Sequence, residues 1–221
     1  MPSIGCHTDV PDSADWSSIA PDWVHGRFTI VGRSGASVCY AVTDAAGVFS
    51  NIGCLPNITS PTSEIPNSPP QAIPLANSDT AVVYMPQASG ALSVVVRDGE
   101  VWSTPFTIES PAIGVRFAAA PTPDGGIVAG VLSTSGELSF VRFEDGAWAG
   151  PFPIASGYQG DAALGAGPGN CGADAFIGVA RGGVSVDVAR VRGTQSAIET
   201  VLPFGDDFAS NISFAVRHAN E

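Results

Sequence analysis

Apolar residues along this chain come in short alternating runs and nowhere keep a helical spacing. The runs "RFTIVG" (27–32), "SVCYAV" (37–42), "AVVYM" (81–85), "LSVVV" (92–96), "GIVAGVL" (126–132), "LSFVRF" (138–143), "AFIGVA" (175–180) and "VSVDVARV" (184–191) are rich in Val, Ile, Phe or Tyr. Turn residues bound them about every 8 to 12 positions, which predicts an all-β chain.

Two stretches repeat each other. "QASGALSVVVRDGEVWSTPFTI" (87–108) and "STSGELSFVRFEDGAWAGPFPI" (133–154) align without a gap and share Ser, Gly, Leu, Ser, Val, Trp, Pro, Phe and Ile in that order. Equivalent turns at Ser34-Gly35, Ser89-Gly90, Ser135-Gly136 and Gly182-Gly183 extend the repeat, with steps of 55, 46 and 47 residues between the second glycines. A period of that size belongs to propeller blades of four antiparallel strands. In two of the units an Asp-Gly pair, Asp98-Gly99 or Asp145-Gly146, joins the third strand to the outer one, because Asp-Gly adopts the positive φ of a hairpin turn at little cost. The outer strands are expected to begin at Phe49, Trp102, Trp148 and near Ile198.

Inner strands crowd around an axis and favour small residues; "QAIPLA" (71–76), "VRFAAAP" (115–121) and "AALGAGP" (162–168) fit that place. "SFAVRHA" (213–219) fits it too, with no outer strands after it, whereas the first unit starts at Arg27 with no evident inner strand. The expected fold is a small single-domain β-propeller over residues 25–221, with four blades of about four strands closed by the C-terminal strand. Residues 1–24 form an extension packed on it. Reading "ADWSSIAP" (14–21) as an outer-strand copy, since Trp16-Ser17 echoes Trp102-Ser103, gives five blades as the alternative.

Charge narrows the partners. A net charge of -12 offers no basic footprint for nucleic acid or an anionic membrane, so neither is expected as a partner. All nine basic residues are Arg, which excludes lysine Schiff-base chemistry and a P-loop. With no apolar run of membrane-spanning length and no basic-then-apolar leader at the start of the chain, the expected location is the cytoplasm, with non-classical secretion as the other route. Cys6, Cys39, Cys54 and Cys171 are then expected as free, mostly buried thiols, and no C-x-x-C pair suggests zinc.

No cofactor is implied. His7, His25 and His218 could meet if the chain ends come together, but their spacing matches no metal motif, and no metal centre is expected. Glu109, Asp161 and Asp206 are candidates for paired catalytic carboxylates, although an acidic surface supplies such residues in quantity. Trp102 and Trp148 recur at the start of outer strands and are read as packing between blades.

In a propeller the turns between the two middle strands and the loops between blades share a face, where ligands commonly bind. Arg33, Gln87 and Arg181 from the middle turns, Tyr158 from an interblade loop, and Arg116 and Arg217 from two inner strands are the ligand-binding candidates. Arg forks and Gln supply hydrogen bonds to vicinal hydroxyls, and Tyr158 an apolar face for a sugar's C–H groups. A neutral, hydroxyl-rich ligand suits an acidic chain.

The unit "SGELSFVRFEDGAWAG" resembles the blade repeat of fungal and bacterial β-propeller lectins, in particular the fucose-binding lectins of the Aleuria type. A small-Gly turn, an apolar strand, an Asp-Gly turn and a Trp follow one another in both. Such lectins hold fucose with an Arg, a Glu or Gln and an aromatic from adjacent blades. Here Glu137 and Trp148 fall near such positions, and Ala91 stands where the second unit would need the Glu. The resemblance implies a carbohydrate-binding propeller without catalysis, holding a neutral sugar on the loop face. An enzyme such as a hydrolase, lyase or cyclase, with a small-molecule pocket on that face, is the alternative, and would show as asymmetry among the blades.

Overall fold

A computed structural model describes residues 15–22, 25–59, 69–76, 80–86, 91–108, 114–160, 162–170, 172–181, 185–201 and 212. These form four antiparallel sheets that follow one another along the chain. Blade one is β1 (Asp15–Asp22), β2 (Arg27–Ser34), β3 (Ser37–Thr43) and β4 (Phe49–Thr59). Blade two is β5 (Gln71–Pro74), β6 (Thr80–Tyr84), β7 (Ser93–Asp98) and an outer strand in two pieces, β8 (Val101–Trp102) and β9 (Phe106–Thr107), both paired with β7. Blade three is β10 (Gly114–Pro121), β11 (Ile127–Ser133), β12 (Leu138–Glu144) and β13 (Ala147–Ala155). Blade four is β14 (Leu164–Pro168), β15 (Ala175–Arg181), β16 (Ser185–Arg192) and β17 (Gln195–Val201).

The described strands stand at the expected places, as do the turns at Ser34-Gly35 and Ser135-Gly136, with one correction; the turns expected at Ser89-Gly90 and Gly182-Gly183 lie outside the described residues. Blade one has its own inner strand: β1 pairs with β2 from Asp15↔Arg33 to Asp22↔Arg27. Residues 15–22 are therefore neither a packed extension nor the outer strand of a fifth blade. The proposed closing strand, 213–219, lies outside the described residues; Ile212 just before it sits against Gly165 of β14, on blade four.

Turn chemistry explains the register. Asp145 and Gly146 both take positive φ, 50° and 77°, so β12 and β13 are joined by the tight turn that an Asp-Gly pair favours. Gly136, at φ 77°, has a second reason to be glycine: a Cβ there would lie 1.9 Å from the Tyr158 carbonyl oxygen.

Because side chains alternate across a strand, each sheet has two faces, and the faces between successive blades hold the core. Ala20, Val31, Val38, Leu55, Ala72, Val82, Tyr84 and Val95 fill the seam between blades one and two. Phe117, Ile127, Val131 and Phe143 meet Val83, Met85, Leu92 and Val94 between blades two and three. Phe140, Leu132, Ile177 and Val191 join blades three and four. No apolar cluster among the described residues spans blades four and one. The inner strands are also stitched by polar contacts: Ala72 N donates to Ser18 Oγ (3.1 Å), and Ala119 N to Gln71 Oε1 (2.8 Å).

Trp148 packs in a seam, as its repeat position suggested. Its ring lies 5.2 Å from Phe143, and its Nε1 donates to the Phe106 carbonyl of blade two at 2.8 Å. The cysteine expectation fails. Cys39 and Cys54 are directly opposite on β3 and β4, with Cα atoms 3.9 Å apart, and are joined as a disulfide. Register, which the compartment argument cannot see, brings the two thiols together.

Candidate functional site

Arg97 departs from the repeat in a telling way. It is paired across the hairpin with Trp102, just as Phe143 is paired with Trp148 in blade three. Phe143 completes the apolar seam against blade two. Blade two turns the equivalent position toward blade one and fills it with a guanidinium that is 8% exposed. The Nε of Arg97 is buried without a hydrogen-bond partner among the described residues, and so is that of Arg27 across the seam.

Together they line a cavity of about 310 Å³ with Asp22, His25, Thr29, Thr80 and Asp98. The β1–β2 turn supplies Asp22 and His25, the start of β2 supplies Arg27, and the β7–β8 hairpin supplies Asp98. Both Asp22 oxygens turn to His25, one accepting from its backbone N at 3.0 Å and the other lying 2.8 Å from its ring Nδ1. Thr29 and Thr80 are buried with their hydroxyls 3.4 Å apart. Burial, and then the charge of Arg27, hold Arg97 below the usual guanidinium range.

The contrast with Arg142 is instructive. It is equally buried at 8%, yet its guanidinium is fully engaged, donating to Glu144, to Asp174 Oδ2 at 2.5 Å and to the Gly193 carbonyl at 3.2 Å. Burial works to raise the Asp174 carboxyl, but the bonds from Gly193 N and Arg142 outweigh it and hold it below its ordinary value. Arg142 ties blade three to blade four, whereas Arg97 and Arg27 make no ion pair among the described residues.

A second cavity, of about 510 Å³, opens at the next seam between Val96, Trp102, Phe106 and Phe143, with Asp98 and Asp145 at its rim. Both cavities lie at the face of the β1–β2, β7–β8 and β12–β13 hairpins, opposite to the face of the middle turns.

No family profile matches the sequence, and no curated protein matches it either. Among solved structures, the chain is similar to the fungal lectin of Aleuria aurantia, a six-bladed β-propeller with a novel fucose recognition mode. The TM-score is 0.65 at 13% identity, over 88% of this chain and 66% of that one. It is also similar to AofleA from Arthrobotrys oligospora (TM-score 0.60, 10% identity, 85% of this chain and 56% of that one) and to a mutant of the NanB sialidase from Streptococcus pneumoniae (0.53, 16%, 79% and 29%). The fold is a β-propeller. The described residues form four blades where the Aleuria lectin has six, and the chain spans less than two thirds of that lectin's length or of the others'.

On the other face of the propeller stand the described residues among those that the sequence nominated. Arg181, at the end of β15, is 55% exposed, 3.5 Å from Asp187 Oδ2 and 5.8 Å from the centre of the Tyr158 ring. Tyr158 is only 7% exposed. Its hydroxyl donates to Asp187 Oδ2 at 3.0 Å, Thr200 donates to Oδ1 at 2.8 Å, and burial with the Asp187 bond pushes the phenol up to about 12. The ring packs in the seam of blades three and four, so it has no open face on which a sugar could stack. Arg33 is half-buried at the end of β2; Arg116 is half-buried on β10, its Nε buried without a partner among the described residues. Gln87 and Arg217 lie outside the described residues, as do Glu109, Asp161, Asp206, His7 and His218. Among the described residues no three His, Cys, Asp or Glu side chains gather as metal ligands.

Proposed function

We propose that this protein is a carbohydrate-binding propeller whose sugar sits in the pocket between blades one and two. The observation that carries the reading is the pair of arginines, half-buried Arg27 and buried Arg97, each with an Nε unpartnered among the described residues, in one cavity with two carboxylates and two hydroxyls. Every sugar hydroxyl both donates and accepts, so a pocket of planar donor forks beside carboxylate acceptors meets it on both counts. A cavity of about 310 Å³ accommodates one pyranose ring. The ligand's bulk is neutral hydroxyl surface, since a net charge of -12 disfavours polyanions at long range. The fold likeness to lectins supports the ligand class.

The test is calorimetric titration of a monosaccharide panel into wild type, Arg27→Ala and Arg181→Ala. Loss of binding in Arg27→Ala, with Arg181→Ala near wild type, is expected. The reverse pattern would move the site to the opposite face, and turnover of a glycoside by wild type would favour the enzyme alternative.

A further inference from the structure

Arg97 occupies a place that blade three gives to a phenylalanine. An apolar side chain there would close the seam, as Phe143 does, and would bury no charge. Instead two guanidiniums face one cavity, close enough for their charges to repel, and neither has an ion-pair partner among the described residues. The acids nearby answer them only in part. Glu100 and Asp22 offset some of the repulsion, but Asp22 has both oxygens on His25, and among the described residues neither they nor the exposed Asp98 makes an ion pair with either arginine. A guanidinium that is nine-tenths buried at the wall of a cavity, with its Nε unpartnered among the described residues, is costly unless something supplies an anionic oxygen. Arg142, at the same burial, shows how this fold satisfies such a group when its role is structural: with two carboxylates and a carbonyl.

We infer that the sugar held between Arg27 and Arg97 is an acidic one, carrying a carboxylate or a sulfate or phosphate ester that lies between the two forks. This rests on the proposal that a sugar occupies the pocket. Two planar forks bind one anionic group with geometric selectivity, and charge-assisted bonds of this kind are the strong ones. The whole-chain charge does not oppose this at contact range, because charges beyond about 8 Å are screened at physiological salt. It slows a free anion's approach, while the neutral remainder of the ring is read by Thr29, Thr80 and the carboxylates.

The experiment titrates wild type with matched pairs: methyl glucuronide against methyl glucoside, methyl galacturonide against methyl galactoside, and galactose 6-sulfate against galactose. Sodium acetate and sodium sulfate are titrated alone. In at least one pair the acidic member should bind about tenfold more tightly, an advantage that shrinks with added salt and is lost in Arg97→Gln, where affinity for the acidic member falls by more than affinity for the neutral one. The uronide and the sulfate arms identify which anionic group the forks prefer. Equal affinity for acidic and neutral members, or an advantage that survives Arg97→Gln, overturns the inference while leaving the sugar reading intact. Binding of no sugar at millimolar concentration overturns the sugar reading itself. Acetate or sulfate binding as tightly as the acidic glycoside overturns the inference too, since the ring would then contribute nothing.

Discussion

Replacing Arg97 by Met should stabilise the protein, and replacing Arg142 by Met should do the opposite, although the two arginines are equally buried at 8%. Arg97 leaves its Nε unsatisfied, a cost of about 1–3 kcal/mol, and its charge repels that of Arg27. Met keeps the length of the stem and packs beside Tyr84, Val95 and Trp102 without that cost. The expected gain is about 1–2 kcal/mol, or a rise in Tm of about 2–8 °C for a chain of this size. Arg142→Met instead strands the Asp174 carboxylate and removes a tie between blades. Breaking a buried pair costs about 3–5 kcal/mol, but Asp174 and Glu144 keep 25% and 45% of their side-chain surface in water, so about 2–3 kcal/mol is expected. Urea unfolding followed by tryptophan fluorescence, with calorimetric Tm as a second probe, reads both variants. If Arg97→Met is destabilised as much as Arg142→Met, then Arg97 is structurally compensated and the argument that it is held in place for a ligand fails.

Trp148→Ala should cost about 3 kcal/mol, because it removes a seam ring and the bond to the Phe106 carbonyl; an unchanged urea midpoint would show that the seam repacks. Thiol titration of the unfolded, unreduced chain should find Cys39 and Cys54 blocked, and the double Cys39→Ser, Cys54→Ser variant should lose about 2–3 kcal/mol. In an ultraviolet pH titration, Tyr84 and Tyr158 should ionise near pH 12, each step vanishing in its own Phe variant. Because their folded values are raised, the stability they contribute is complete below pH 10 and is lost as the pH climbs through about 12; a Tm that falls well below pH 10 in wild type but not in the Phe variants would contradict this.

The blade repeat could be read from sequence because its signals are local. Asp145-Gly146 fixes a turn by its own φ preference, and Trp148 marks an outer strand by recurring where Trp102 stands. The inner strand of blade one was missed because "DWSSIAPD" lacks the glycine and alanine content of the other inner strands; Ser18, which takes a backbone bond from Ala72, does the stitching there instead. Tyr158 lies on its interblade loop as expected, but a loop position suggests an exposure that it does not have. The signal against it was Asp187, a carboxylate on a strand otherwise rich in Val, which needed a buried donor. The pocket itself depends on two arginines from different blades, and only the sheet registers bring Arg27 and Arg97 to one seam. A trace of it was visible all the same, since the gapless alignment of the two best repeats sets Arg97 against Phe143.

The central claim, that the seam of blades one and two is where a sugar binds, is tested most directly by following backbone amide resonances of the full chain while a glycan mixture of neutral and acidic monosaccharides is added. The account predicts shifts concentrated at Asp22, His25, Arg27, Thr29, Thr80, Arg97, Asp98 and Gly99, which line the pocket. Shifts concentrated instead around residues 133–136 and Arg181, on the opposite face, or no shifts at all at millimolar sugar, would contradict it.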